Sequence, residues 1–306
     1  MAFHTVVILS AIRFAGDPRS SRSNSPNFRR AGRPRIVRAP SKLTTRKEPP
    51  LILDLFNLKG KNALVTGSSR GIGEGIAIAL AEAGANVAVH GSRTAPEEVA
   101  YRIAALGVRS AALAGDVGQL ETCHQLVDQT VAHLGSIDIL INNAGIIRRA
   151  PAAEYSEPDW HAVIDVNLHS VFRLTQYAGR HMLAQGSGKI INIASLLTFQ
   201  GGINVPAYAA AKGGVGQLTK AFANEWAGQG VQVNAIAPGY YATDNTEALQ
   251  KNPERAKAIL ERIPSGRGAL DSRETTNPSW RENPPRPVPE RIWCSMARTM
   301  GAVANR

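Results

Sequence analysis

Apolar and polar positions switch between two periods along the middle of the chain. Residues 61–66 form a short apolar run that ends in glycine, and residues 75–83 then repeat small and apolar side chains at helical spacing until Gly84 stops them. Further short apolar runs at 86–90, 110–114 and 137–141 predict strands, and the periodic stretches 97–106 and 120–134 predict helices. Strands alternating with helices of about 10 to 15 residues predict an α/β fold: a doubly wound, Rossmann-like parallel sheet in three layers. Right-handed crossovers bring the strand ends to one edge, where an open α/β sheet holds its ligand.

The chemistry-bearing motifs fall at that edge. Gly67, Gly71 and Gly73, in the run Thr66-Gly67-Ser68-Ser69-Arg70-Gly71-Ile72-Gly73, let the backbone approach a pyrophosphate, and the helix that follows offers unpaired N–H groups. Tyr208 and Lys212 lie four residues apart and share a helix face, so the ammonium can lower the phenol's pKa from about 10 toward working pH. That is how a tyrosine becomes a general acid or base. Ser195 stands thirteen residues before Tyr208. Asp116-Val117, Asn142-Asn143-Ala144-Gly145, Asn167 and Pro238-Gly239 complete the set. Two of these also have local readings: Asp116 as a turn residue, Asn167 as a helix-interior asparagine bonding its own backbone.

In this order and at these spacings the motifs resemble the short-chain dehydrogenase/reductase family, over residues 51–267. The resemblance implies that Tyr208 is the acid/base, that Lys212 lowers its pKa and holds the nicotinamide ribose, and that Ser195 bonds the reacting oxygen. Asn167 matches the position that bends a helix and holds a water in the proton relay. Asp116 with Val117 falls at the adenine amino group, Asn143, Ala144 and Gly145 form the floor under the nucleotide, and Ser69, Arg70, Ile72 and Pro238-Gly239 belong to the same nucleotide site.

The stretches 142–160, 195–215 and 234–249 are similar to the sugar-acid branch of that family, which acts on compounds such as 2-dehydro-3-deoxy-gluconate or 2-deoxy-gluconate. An oxidoreductase moving a hydride between a nicotinamide cofactor and a CH–OH or ketone group is therefore expected. A sugar acid needs a cation for its carboxylate, for which Arg148 and Arg149 are candidates, and donors for its hydroxyls, for which Gln200, Asn204, Tyr240 and Tyr241 are candidates. Residues 243–251 are expected to close over the substrate, and Trp226 to serve packing. The alternatives are a 3-oxoacyl-carrier-protein or generic ketone reductase, and an inactive nucleotide-binding protein.

Charge bears on the cofactor. An NAD enzyme ordinarily ends its second strand with an acid on the ribose, but the chain reads Val89-His90-Gly91-Ser92-Arg93. Arg70 and Arg93 can reach a 2′-phosphate, so NADP(H) is favoured and NAD(H) is the alternative. Arg93 reads equally well as a solvated loop charge.

The net charge of +11 belongs to the ends: eleven Lys/Arg against two acids in residues 1–50 and seven against four in 267–306, leaving the body at −1. Nucleic acid is not expected as a partner, since the basic arm lacks aromatic stacking platforms. Two cysteines imply no disulfide framework, and the seven histidines form no paired metal motif. No apolar run reaches the roughly 20 residues of a membrane span, and a cytoplasmic protein is expected. Residues 1–50 read as a dispensable, disordered basic extension, with the composition of a transit peptide. Residues 268–306 form an atypical Pro/Arg-rich tail in place of the last strand that the resemblance requires; a shifted reading frame near residue 267 accounts for it. The resemblance implies a homotetramer, which a chain without that strand would not complete.

Overall fold

A computed structural model describes residues 7–9, 56–239, 254, 257 and 261. Seven strands form one sheet in the order β1-β7-β6-β5-β2-β3-β4. They are β1 (Val7–Leu9), β2 (Asn62–Val65), β3 (Asn86–Gly91), β4 (Ser110–Ala114), β5 (Ile139–Asn142), β6 (Gly188–Ile193) and β7 (Val231–Ala237). Strands β2 to β7 run parallel to one another. Six helices accompany them: α1 (Gly71–Glu82), α2 (Glu97–Ala104), α3 (Leu120–Leu134), α4 (Glu157–Ile164), α5 (Ser170–Gln185) and α6 (Pro206–Trp226).

The strand pleat sorts the core into the two outer layers. In β2, Ala63 and Val65 pack with Ile76 and Leu80 of α1 and Val99 and Ile103 of α2. Leu64, between them, packs on the other face with Leu126 of α3 and Leu174 of α5. The chain builds β2, β3 and β4 outward to one side and then restarts with β5 on the other side of β2. This places a topological switch point between the ends of β2 and β5.

Helix α1 begins at Gly71, four residues before the periodicity places it, because tight packing overrides the low helix propensity of its glycines. A Cβ on Gly73 would overlap the Gly67 carbonyl and the Asn143 side chain. Gly73 therefore lets the helix seat against its own turn, where the sequence predicted backbone approach to a ligand.

Within the basic extension expected to be disordered, Val7–Leu9 pairs antiparallel with β7, Ile8 opposite Ile236. The sheet edge beyond β7 is thus occupied from the amino-terminal side. The remaining extension, the 268–306 tail with the expectation that it lacks a last strand, Tyr240, Tyr241 and residues 243–251 lie outside the described residues. No helix among the described residues is long and apolar enough to cross a membrane.

Candidate active site

The switch point is fastened by Thr66. Its N–H and hydroxyl both donate to the Ile141 carbonyl, at 3.0 and 3.2 Å, and its Oγ1 accepts from the N–H groups of Asn143 and Ala144, at 3.0 and 3.1 Å. Asn143 answers with its Nδ2, which donates to the carbonyls of Thr66 and Gly67, each at 2.9 Å. The glycine turn and the Asn143–Gly145 floor are therefore one hydrogen-bonded unit. Gly67 has φ +62°, and a Cβ there would fall 2.8 Å from Ala144 Cα, so only glycine fits.

The start of α1 suits a phosphate. No side chain caps it, Ser69, Arg70 and Gly71 are exposed at its mouth, and Ile72 is half-buried behind them. Glu74, the acid of its first turn, is drawn away into an ion pair with Arg102 of α2. These donors and this dipole end fit the pyrophosphate of a dinucleotide. At the end of β3, where an acid would select NAD, stands His90, buried, with Arg93 exposed three residues on. Asp116 is exposed and uses Oδ1 to accept from the Gly118 N–H at 2.9 Å, so it makes a turn while leaving its other oxygen free of that bond. Val117 is a core residue, 2 % exposed. Pro238 is buried and Gly239 half-buried, just past β7.

Ser195, Tyr208 and Lys212 gather where β6 ends against α6, and Asn167 stands beside the loop that follows β5. Asn167 lies in a π-turn, Asp165–His169, between α4 and α5. Its Nδ2 donates to the Val163 carbonyl four residues earlier at 2.8 Å and to the Ile146 carbonyl at 2.9 Å, while Oδ1 accepts from the Ile146 N–H at 3.2 Å. Both the bent helix and the local backbone bond are present together. Ser195 follows β6 and caps the 3-10 turn Leu196–Thr198, accepting from the Leu197 N–H at 3.2 Å. Its side chain also acts on the Tyr208 phenol, pulling its pKa down.

Tyr208 and Lys212 sit one turn apart on α6, with the Lys212 ammonium 5.6 Å from the centre of the tyrosine ring. Lys212 is buried and donates to the Ile193 carbonyl at 2.6 Å. Burial lowers its pKa to about 8. The expected lowering of the phenol is reversed: burial pushes Tyr208 above its ordinary value, against smaller downward pulls from the Ser195 hydroxyl and the Arg149 guanidinium. The desolvated phenol holds its proton.

Thr198 is a residue that the motifs did not single out. Its Oγ1 accepts from the Ser195 N–H at 3.3 Å and donates to the Lys212 carbonyl at 3.0 Å, bolting the serine turn to the tyrosine helix. The S-x-x-T pattern, a capping box, was its signal.

The structure separates the arginine pair. Arg148 is exposed and pairs with Asp159 at 3.4 Å, whereas Arg149 acts electrostatically on Tyr208. Asn204, in the left-handed region at φ +62°, accepts from the Ala150 N–H at 3.2 Å and so tethers the 200–205 segment beside the arginines; Gln200 is exposed there. Among the described residues no group of three or more His, Cys, Asp or Glu side chains could hold a metal ion. Cys123 is buried, its thiol pushed up to about 11 by desolvation, and Trp226 packs against Phe222.

Residues 61–254 match the family model described as short chain dehydrogenase. The 2-dehydro-3-deoxy-D-gluconate 5-dehydrogenase of Escherichia coli (strain K12) is 49% identical over 223 residues, 72% of this chain and 88% of that enzyme. The enzyme of the same name from Pseudoalteromonas atlantica is 53% identical over 218 residues, 71% of this chain and 86% of its own. Among solved structures, a gluconate 5-dehydrogenase from Burkholderia cenocepacia J2315 in complex with NADP and tartrate is 41% identical with a TM-score of 0.67, covering 71% of this chain and 86% of that one.

Proposed function

The chain belongs to the short-chain dehydrogenase family, and on that premise we propose that it interconverts a ketone and a secondary alcohol of a deoxy sugar acid of the 2-dehydro-3-deoxy-gluconate type. It is an oxidoreductase acting on a CH–OH group with a nicotinamide cofactor. The observation that carries the reading is Tyr208 with the buried Lys212 ammonium 5.6 Å from its ring, joined to the Ser195 turn through Thr198.

A bound nicotinamide supplies the hydride. In the reductive direction Tyr208 gives its proton to the carbonyl oxygen, and a phenol raised by burial is protonated and ready at neutral pH. Ser195 holds the same oxygen from its place at the head of the 3-10 turn. Lys212, buried behind the ring, is the cation that offsets negative charge as the phenol loses its proton, and it holds the nicotinamide ribose. Asn167 has committed both Nδ2 hydrogens to carbonyls, so it can join a proton relay only as an acceptor.

Arg149 is the guanidinium for the substrate carboxylate, a reading supported by the downward pull of its charge on the Tyr208 phenol. The tartrate in the Burkholderia complex, itself a hydroxy acid, supports a site of that character. Arg70 and Arg93 favour NADP(H), as does the NADP of that relative. The protein is cytoplasmic.

The test is substrate profiling with NADPH and NADP⁺ on the purified chain. Turnover of deoxy sugar acids, abolished in Tyr208→Phe with nucleotide binding retained, is the expected result. Turnover of 3-oxoacyl thioesters with none of sugar acids would overturn it in favour of the acyl-carrier reductase reading, which uses the same catalytic groups.

A further inference from the structure

The imidazole of His90 is a buried titratable group in the nucleotide half that the chemistry above leaves unused. It stands at the end of β3, 1 % exposed. Its Nδ1 lies 3.1 Å from the Gly67 nitrogen and its Nε2 lies 2.8 Å from the Gly115 oxygen. A backbone N–H can only donate and a carbonyl can only accept, so Nδ1 is bare and Nε2 carries the proton. The main chain repeats the grip: the His90 N–H donates to Ser68 Oγ at 2.9 Å, and the Ser68 N–H donates to the His90 carbonyl at 2.9 Å.

The ring thus bridges two turns with different duties. Gly67 opens the turn that receives the pyrophosphate, and Gly115 precedes Asp116, at the position assigned to the adenine. Both glycines have positive φ, +62° and +154°, so each turn holds a backbone shape that a side chain would strain. We propose that His90 is a positioning residue for the adenosine half of the cofactor: its neutral ring sets the spacing of the Gly67 and Gly115 turns, and a proton on Nδ1 breaks that clamp. The inference rests on the nucleotide reading above.

The charged side chains on the segments around the ring are Arg70 on the glycine turn, Asp116 beyond Gly115, and Arg93 after β3. Asp116 favours the protonated ring, the Gly115 bond also favours it, and burial opposes both more strongly, leaving His90 below the ordinary 6.5. Nucleotide binding selects the bare Nδ1. Affinity is therefore constant above that range and falls as pH drops through it, by about tenfold per pH unit for one linked proton.

The experiment is calorimetric titration of the full chain with NADP⁺, which tolerates acid, from pH 8 down to 5, for wild type, His90→Asn and His90→Leu. An asparagine oxygen can accept from the Gly67 N–H but does not titrate, so His90→Asn loses the acid weakening seen in wild type. His90→Leu binds at least tenfold more weakly throughout. The 2′-phosphate titrates in the same window in every variant; an acid limb equally steep in His90→Asn would overturn the proposal. Should the variants not fold, ¹⁵N imidazole spectra of the wild-type chain decide it: an Nε2–H tautomer at pH 7 is expected, and an Nδ1–H tautomer would overturn it. Wild-type binding that ignores pH down to 5 would remove His90's role alone, whereas no binding at any pH would remove the nucleotide reading with it.

Discussion

The side chain of Asn167 takes the carbonyl of Val163, four residues earlier, at 2.8 Å. That carbonyl would otherwise accept the next turn's backbone N–H, and the displaced backbone widens into the π-turn Asp165–His169. The same amide then reaches across to both backbone groups of Ile146, on the loop that continues the Asn143–Gly145 floor. A Cβ on Gly145 would fall 2.6 Å from Asn167 Oδ1, so amide and floor are packed in direct contact.

Asn167→Ala would leave buried backbone groups at Ile146 and Val163 without partners, and a loss of roughly 2–4 kcal/mol is expected. Asn167→Asp keeps the acceptor but turns carboxylate oxygens toward two carbonyls, and should be no better. Urea unfolding of the three proteins checks this; an Asp variant as stable as wild type would show that the two donated bonds do not matter.

Thr198→Val preserves shape while removing the hydroxyl that joins the Ser195 N–H to the Lys212 carbonyl. The lost bonds cost about 1–2 kcal/mol of stability. Because the bolt aligns Ser195 with Tyr208 and reaches Lys212 only through its main-chain carbonyl, kcat should fall about tenfold or more, with a smaller loss in NADP⁺ affinity. Steady-state kinetics beside equilibrium titration separate the two quantities.

Lys212 carries its charge at a cost to the fold. Its folded pKa, about 8, lies below its unfolded value, so between about pH 8 and 10.5 the unfolded state binds more protons and stability rises with pH. Below pH 8 the full penalty applies, on the order of 3 kcal/mol. Lys212→Met removes it and loses the bond to the Ile193 carbonyl, for a net gain on the order of 1–2 kcal/mol at pH 7 together with loss of turnover. Denaturant midpoints at pH 7 and 9.5 test this, since the rise in stability between them should shrink in the variant.

The two adjacent arginines should respond differently. Arg148 makes an exposed pair with Asp159, worth at most about 1 kcal/mol, and Arg148→Ala should change kcat/KM by less than about threefold. Arg149→Ala removes the charge proposed for the substrate carboxylate, and kcat/KM for a sugar acid should drop on the order of 100-fold. Equal effects of the two substitutions would dissolve the distinction.

How far the sequence reaches depends on the distance over which each feature is decided. Strands β3 and β4 and helix α3 lie where hydrophobic period places them, because burial of one face is a local, repeating requirement. The Tyr208–Lys212 pair needed only the pitch of a helix, and the glycine turn only its missing side chains. The Rossmann-like sheet follows from the alternation of elements alone. Packing decided the rest. It started α1 among its own glycines, gave Gly73 the further duty of seating the helix against its turn, and reversed the shift expected at Tyr208, since burial is a property of everything that surrounds a group. It split Arg148 from Arg149, which are neighbours in sequence but face different charges. It paired Val7–Leu9 with β7, more than two hundred residues away along the chain. It gave His90 and Thr198 their work, because a hydrogen bond between the turns of two strands, or between a turn and a helix, exists only once the fold has brought them together.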